Sequence, residues 1–420
     1  TSSGAVDVTG DIDTAVLTLT SGARFGVTGN VNVTSSMTLV NNSIYVQSGG
    51  SLTTDTVTMQ SESTLRVLGG TIDAGITGDA DAQTLVFSNG GTIGTASNTV
   101  NLAGGDDVVE LGSSQIEFGS LIGGDGTDLI NVDVTATSEA EINGSVSGFE
   151  EIEIDGGTLI IGEDATISDT PFLEFTNATT NGTLRVESPG NTITFASILG
   201  SGVADTIYVA SGTLAVSANE EIDLAGGDDV VIVSGGQLGN SAGTNILELG
   251  AGDDVIMISD GGILYASVNN AGGTDDIDVT GSGQILNFVD ESVDVRLGSN
   301  ANLTINLSSD TFAADIFDFA ATPGSQTLNL EETIFTGDIT LGSDTGANDI
   351  LLASQVQFDG TVDGSDATVA TFQGGSSTIN GEYINFVSTT VDADATIYFT
   401  SDGTIEVGDL TIADDGEVRI

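Results

Sequence analysis

Aspartates gathered at glycine corners are the residues of this 420-residue chain best placed to do chemistry. Leu102-Ala103-Gly104-Gly105-Asp106-Asp107-Val108-Val109 returns residue for residue at 224 to 231. Looser copies are Gly250-Ala251-Gly252-Asp253-Asp254-Val255-Ile256, Gly272-Gly273-Thr274-Asp275-Asp276-Ile277 and Gly346-Ala347-Asn348-Asp349-Ile350. Carboxylates and main-chain carbonyls at such a corner are oxygen ligands for a hard cation. If the copies stack, their carboxylates come within about 4.8 Å of one another and repel unless a cation bridges them or a proton neutralises them. The simpler alternative is a solvated turn in which each aspartate bonds nearby backbone N–H groups.

The spacing of these corners says what must position them. Asp107 to Asp128 is 128 − 107 = 21 residues, Asp205 to Asp229 is 24, Asp229 to Asp254 is 25, and Asp254 to Asp276 is 22. A period of this size marks a repeat in which one unit cannot bury its own apolar face and neighbours stack to make the core. Glycine supplies the corner with φ > 0, and the Val/Ile run continues as a strand. Period-two alternation runs through Asn30-Val31-Asn32-Val33-Thr34, Glu151-Ile152-Glu153-Ile154-Asp155 and Asn302-Leu303-Thr304-Ile305-Asn306-Leu307, while no sustained helical period occurs. The reading is all-β: a parallel β-helix (β-solenoid) with irregular rungs of 21–25 residues and little or no α-helix. Two-residue turns such as Asn89-Gly90-Gly91 also suit a β-sandwich, but neither linkers nor domain-length self-similarity appears. Texture shifts near 100 and 280 without interrupting the period, which predicts one continuous solenoid over 1–420. At one rung per ~22 residues it makes about 19 rungs, on the order of 90 Å long.

Gly123-Gly124-Asp125-Gly126-Thr127-Asp128-Leu129-Ile130-Asn131 fits every fixed position of the nonapeptide Gly-Gly-x-Gly-x-Asp-x-U-x, with U a large aliphatic. On these residues the chain resembles RTX (repeat-in-toxin) β-roll proteins, with Gly250 to Met257 a weaker variant. The resemblance implies Ca²⁺ held between successive coils by the sixth-position aspartate and the carbonyls of the glycine turn. Carried over by position, Asp128 is the first ligand, then Asp107, Asp229, Asp254 and Asp276, with Asp125 beside Asp128. It covers about a quarter of the chain, mainly 101 to 134 and 203 to 279. RTX nonapeptides run in tandem, whereas these copies stand a whole rung apart. Gly157-Thr158-Leu159-Ile160-Ile161, Gly182-Thr183-Leu184-Arg185-Val186 and Gly212-Thr213-Leu214-Ala215-Val216 are similar to strand starts in autotransporter and haemagglutinin-type β-helix passengers.

Composition narrows the function classes. A formal charge of −57, with no lysine or histidine, repels phosphate and anionic lipid, which argues against nucleic-acid partners and membrane attachment. No apolar run reaches the ~18 residues of a membrane span, and no signal peptide opens the chain, so Thr1 reads as a processed or trimmed end. With no cysteine, disulfides and thiolate chemistry are out. Together with the Thr/Asn-rich texture this points to a secreted or cell-surface prokaryotic protein. Polysaccharide-acting β-helix enzymes are the competing class, but the Gly-His-Gly and Arg-x-Lys segments of polygalacturonase-like hydrolases are missing. A pectate lyase-like reaction would rest on Arg185 or Arg296, each placed where an outward ion pair is the ordinary expectation. Sequons at Asn32, Asn41, Asn143, Asn177, Asn181, Asn302 and Asn306 are within chance for this composition. Strand pattern runs nearly to both ends, and such ends are covered when copies stack. The expectation is therefore a non-enzymatic extracellular structural protein that self-assembles into a surface layer or matrix filament, stabilised by Ca²⁺. An adhesin stalk contacting a cell-surface glycan is the alternative.

Overall fold

The computed structural model describes residues 5–20, 22–112, 114–133, 138–177, 179–242, 244–298, 300–318, 325–341, 349–364, 368–400 and 404–420. Among them every regular element is a strand, and the strands pair in parallel from coil to coil. The fold is a parallel β-solenoid. Its contacts divide it into two compact units, Thr1–Ile207 with Ala215–Ser217 and Tyr208–Leu214 with Ala218–Ile420.

In the first unit one face is a run of short strands: Arg24–Val27, Ile44–Gln47, Thr64–Leu68, Thr84–Ser88, Val108–Leu111, Leu129–Val132, Glu151–Ile154 and Phe172–Phe175. Each pairs with the next, and because side chains alternate across a strand, every second position points inward. Tyr45, Leu65, Leu85, Val109, Ile130, Ile152 and Leu173 thus stack as one apolar column, none more than 1% exposed. Each such side chain contributes about 1.5–3 kcal/mol by leaving water. The remaining wall is built from longer strands, among them Val31–Leu39, Ser51–Met59, Thr71–Thr77 and Thr92–Asn101. Their pairing slips midway, between Asn32 and Met37, Thr53 and Thr56, and Ile93 and Val100. There the in–out alternation loses phase: Thr34 and Ser35 are both exposed, and the strand bends.

The second unit follows the same logic. Val230–Ser234, Val255–Ser259, Asp275–Thr280 and Val293–Leu297 pair in succession, and the line continues through Ile316–Asp318 and Ile339–Thr340. Val231, Ile256, Ile277, Val295, Ile316, Ile339, Val362 and Tyr383 form its inner column, again at most 1% exposed. Farther along, Phe312, Phe335 and Phe358 stack with centroids 5.5 and 5.8 Å apart.

The coil lengths are more varied than the corner spacing predicts. Arg24, Ile44, Thr64 and Thr84 align at 20-residue steps, while Asp276 aligns with Asp294 after only 294 − 276 = 18. Corner-free coils can also be long, since Asn302 aligns with Thr327 after 327 − 302 = 25 residues, so the length of a coil does not follow from whether it carries an aspartate corner.

Candidate functional site: the aspartate corners

Each corner starts from its glycines. Gly126 has φ +151° and Gly252 φ +155°, backbone that side-chain-bearing residues avoid. A Cβ on Gly126 would run into the carbonyl oxygen of Gly105 one coil earlier, and one on Gly252 into that of Gly227. Successive corners therefore stack main chain on main chain, with no room between them for a side chain.

That close stacking presents backbone N–H groups that the strands do not satisfy, and the acids take them. Asp107 Oδ1 accepts the Gln83 N–H at 2.6 Å, and Asp128 Oδ1 accepts the Asp107 N–H at 2.8 Å. Glu150 Oε2 accepts the Asp128 N–H at 2.7 Å. In the second unit Asp254 Oδ1 accepts from Asp229 at 2.7 Å, Asp275 Oδ1 from Asp254 at 2.9 Å, and Asp349 Oδ1 from Gln326 at 2.9 Å. All of these reach one coil back. The first acid of each pair reaches one coil forward: Asp106 Oδ1 accepts from Thr127 at 3.0 Å, Asp228 from Asp253 at 3.1 Å and Asp253 from Thr274 at 3.0 Å. A Gly-Asp-Asp corner thus ties its coil to both neighbours, whereas the sequence reading foresaw local turn bonds, a bridging cation or a neutralising proton.

The two acids of a pair differ in environment. Asp106, Asp228 and Asp253 are exposed, while Asp107, Asp128, Asp229, Asp254 and Asp275 are at most 1% exposed. The second oxygens of Asp107, Asp128, Asp254 and Asp275 are buried without a hydrogen bond. Burial pushes the Asp107 carboxyl up to about 7; the Gln83 N–H opposes this and Asp128, Asp79 and Asp106 reinforce it. Burial likewise carries Asp254 to about 6, against the Asp229 N–H and with repulsion from Asp275, Asp228 and Asp253. Asp128 and Asp275 are raised for the same first reason. These groups hold protons more tightly than free carboxylates do.

The proposed metal ligands fall into separate places. Asp107 and Asp128 share one column in the first unit, continuing Ser43, Ser63 and Gln83, the buried polar residues just before each short strand. Asp229 and Asp254 lie in a column of the second unit, where the next member is Asp275 and not Asp276. A coil of 275 − 254 = 21 residues shifts the register by one, so Asp276 is left half-buried and ion-paired with Arg296 at 2.6 Å. Asp125 is exposed and joins its corner through the main chain, its carbonyl accepting the Gly105 N–H at 2.9 Å. Asp205 bonds the Gly182 N–H at 3.0 Å, and Gly182 opens Gly182–Phe195, which pairs with Gly157–Ile161 of the longer-strand wall. Corner aspartates thus occupy more than one edge of the coil. Of the copy at 346 to 350, residues 346–348 lie outside the described residues.

Oxygen-only donors with buried, unshared Oδ2 atoms suit a hard cation chemically. Among the described residues, however, no three acids converge in an arrangement that can hold a metal ion. The residues missed from sequence are Asp275, Glu150 and the forward-reaching Asp106, Asp228 and Asp253. Their signal is positional: a polar residue immediately ahead of a strand, one coil from another. Arg185 and Arg296 do form outward ion pairs, with Glu187 and with Asp276 and Asp278. No protein-family model, no curated protein and no solved structure matches this chain.

Proposed function

We propose that this chain is an extracellular structural β-solenoid that assembles into a surface layer or filament, with Ca²⁺ bound at its Gly-Asp-Asp corners. The observation carrying this reading is that the corner acids, the chain's most distinctive chemical groups, join coil to coil through the main chain. The cation would meet the unshared Oδ2 atoms and offset part of a −57 charge. The partial RTX resemblance supports the choice of calcium, and the lack of cysteine and lysine supports a secreted setting. The outermost coils leave Val6, Val16, Ile405, Leu410 and Ile412 between 40% and 53% exposed, apolar surface that the proposed stacking would bury.

Negative-stain electron microscopy of purified protein with calcium and with EGTA tests the reading. Filaments or sheets that disperse in EGTA are the expected result. Uniform monomers under both conditions overturn assembly, and filaments indifferent to EGTA overturn the calcium part. An adhesin stalk is the second reading, favoured by the polar groove described next.

A further inference from the structure

The bends of Val31–Leu39, Ser51–Met59, Thr71–Thr77 and Thr92–Asn101 line up along the first unit, and outside them runs a groove of about 530 Å³. Asn32, Thr53, Asp55, Asp73 and Asn98 line it, with Thr54 in its floor. Asn98 Nδ2 donates to Asp73 Oδ1 at 3.4 Å, so neighbouring coils already present an amide and a carboxylate side by side. Thr54 is 7% exposed and its hydroxyl has no hydrogen-bond partner, an unsatisfied polar group beneath the floor. The pairing register is broken along this same line, at 33–36 and at 54–55.

We propose that this groove binds a linear neutral oligosaccharide lying along the coil axis, about one sugar ring to a coil. Its size falls within the range of small-ligand sites, roughly 300–1,000 Å³, and is far larger than a bare cation needs. Amide donors, hydroxyls and carboxylate acceptors match the mixed donor–acceptor edges of a sugar. Among the described residues no basic side chain lines the groove, which argues against phosphorylated, sulfated or uronic-acid chains, and no aromatic side chain lines it, which argues against flat apolar ligands. Coils repeat every ~4.8 Å, a spacing on the scale of one pyranose ring, so the contacts recur in step with the ligand. The proposal names a partner for a surface protein and does not depend on assembly: the groove is tested on monomers, so either idea can fail alone.

The full chain, in calcium-free buffer at fixed ionic strength, is titrated with cellohexaose, maltohexaose and mannohexaose, with oligogalacturonate and then CaCl2 as controls. Saturation-transfer NMR and calorimetry report binding. The expected result is that one or more neutral hexaoses bind, the matching trisaccharide binds more weakly, and oligogalacturonate does not bind. Asp55→Ala and Asp73→Ala each weaken binding about tenfold, the loss expected for a hydrogen bond to a charged group, with the melting temperature unchanged. Glu110→Ala, on the short-strand face, leaves binding intact. Failure of all three hexaoses to bind overturns the proposal, as does binding that survives both aspartate substitutions. Occupancy of these residues by calcium alone reassigns the groove to a cation and equally overturns it.

Discussion

At the scale of single residues, a buried carboxylate that accepts one N–H and leaves its other oxygen unpaired is stabilised by a proton. Asp107 and Asp254 have folded pKa values of about 7 and about 6, above the ordinary aspartate value near 3.9. Between those limits the folded chain binds more protons than the unfolded one, so stability is greatest toward the acid side and falls as pH rises through about 6 to 7. Thermal melts from about pH 4.5 to 8 should show the melting temperature falling across that window. Asp107→Asn keeps an acceptor for Gln83 and removes the titration, so its melting temperature should vary less with pH. Asp107→Ala removes the titration too and leaves the Gln83 N–H unpaired, so it should cost about 1–3 kcal/mol on the acid side and less as pH rises through about 7. A wild-type melting temperature that rises toward pH 8 contradicts this account. The acid pairs were legible in the sequence, but their division of labour was not. Which of Asp275 and Asp276 turns inward depends on whether a coil takes 21 or 22 residues, and no local pattern records that.

At the scale of elements, the corners are stacked so closely that glycine is a packing requirement. Gly252→Ala would meet the Gly227 carbonyl and force φ +155° on a residue with a Cβ. Replacements of this kind cost more than ~1 kcal/mol, and urea denaturation should show the loss. Gly190, with φ +78° and nothing within 4 Å of its added Cβ, is the control, carrying the strain without the collision. Equal losses at both sites would mean that stacking adds nothing. The strands themselves were legible because period-two alternation shows in sequence, as in Glu151–Ile154. The bends were not: at Thr34 and Ser35 the alternation slips within an unbroken polar stretch. The groove, which exists only because those bends align, was invisible for the same reason.

At the scale of the whole molecule, 62 acids against five arginines make self-repulsion a standing cost of the folded state. Monovalent salt from about 0.01 to 1 M shortens the screening length from ~30 to ~3 Å and should raise the melting temperature steadily. Calcium at matched ionic strength should raise it further if the corners bind the ion, since a ligand of the folded state stabilises by mass action. A response to calcium no larger than the response to sodium removes specific binding and leaves screening.

The first unit aligns Arg24, Ile44, Thr64 and Thr84 at identical 20-residue steps, each seated on the one before. Length in this region is therefore quantised. Excising 44–63 brings Thr64 onto the seat Ile44 held over Arg24, and duplicating the same stretch adds a seat of the same shape. A gene encoding such a region can grow or shrink by whole coils in a single recombination event, without redesigning a loop or a core. Length is thus the property that selection can change most cheaply here.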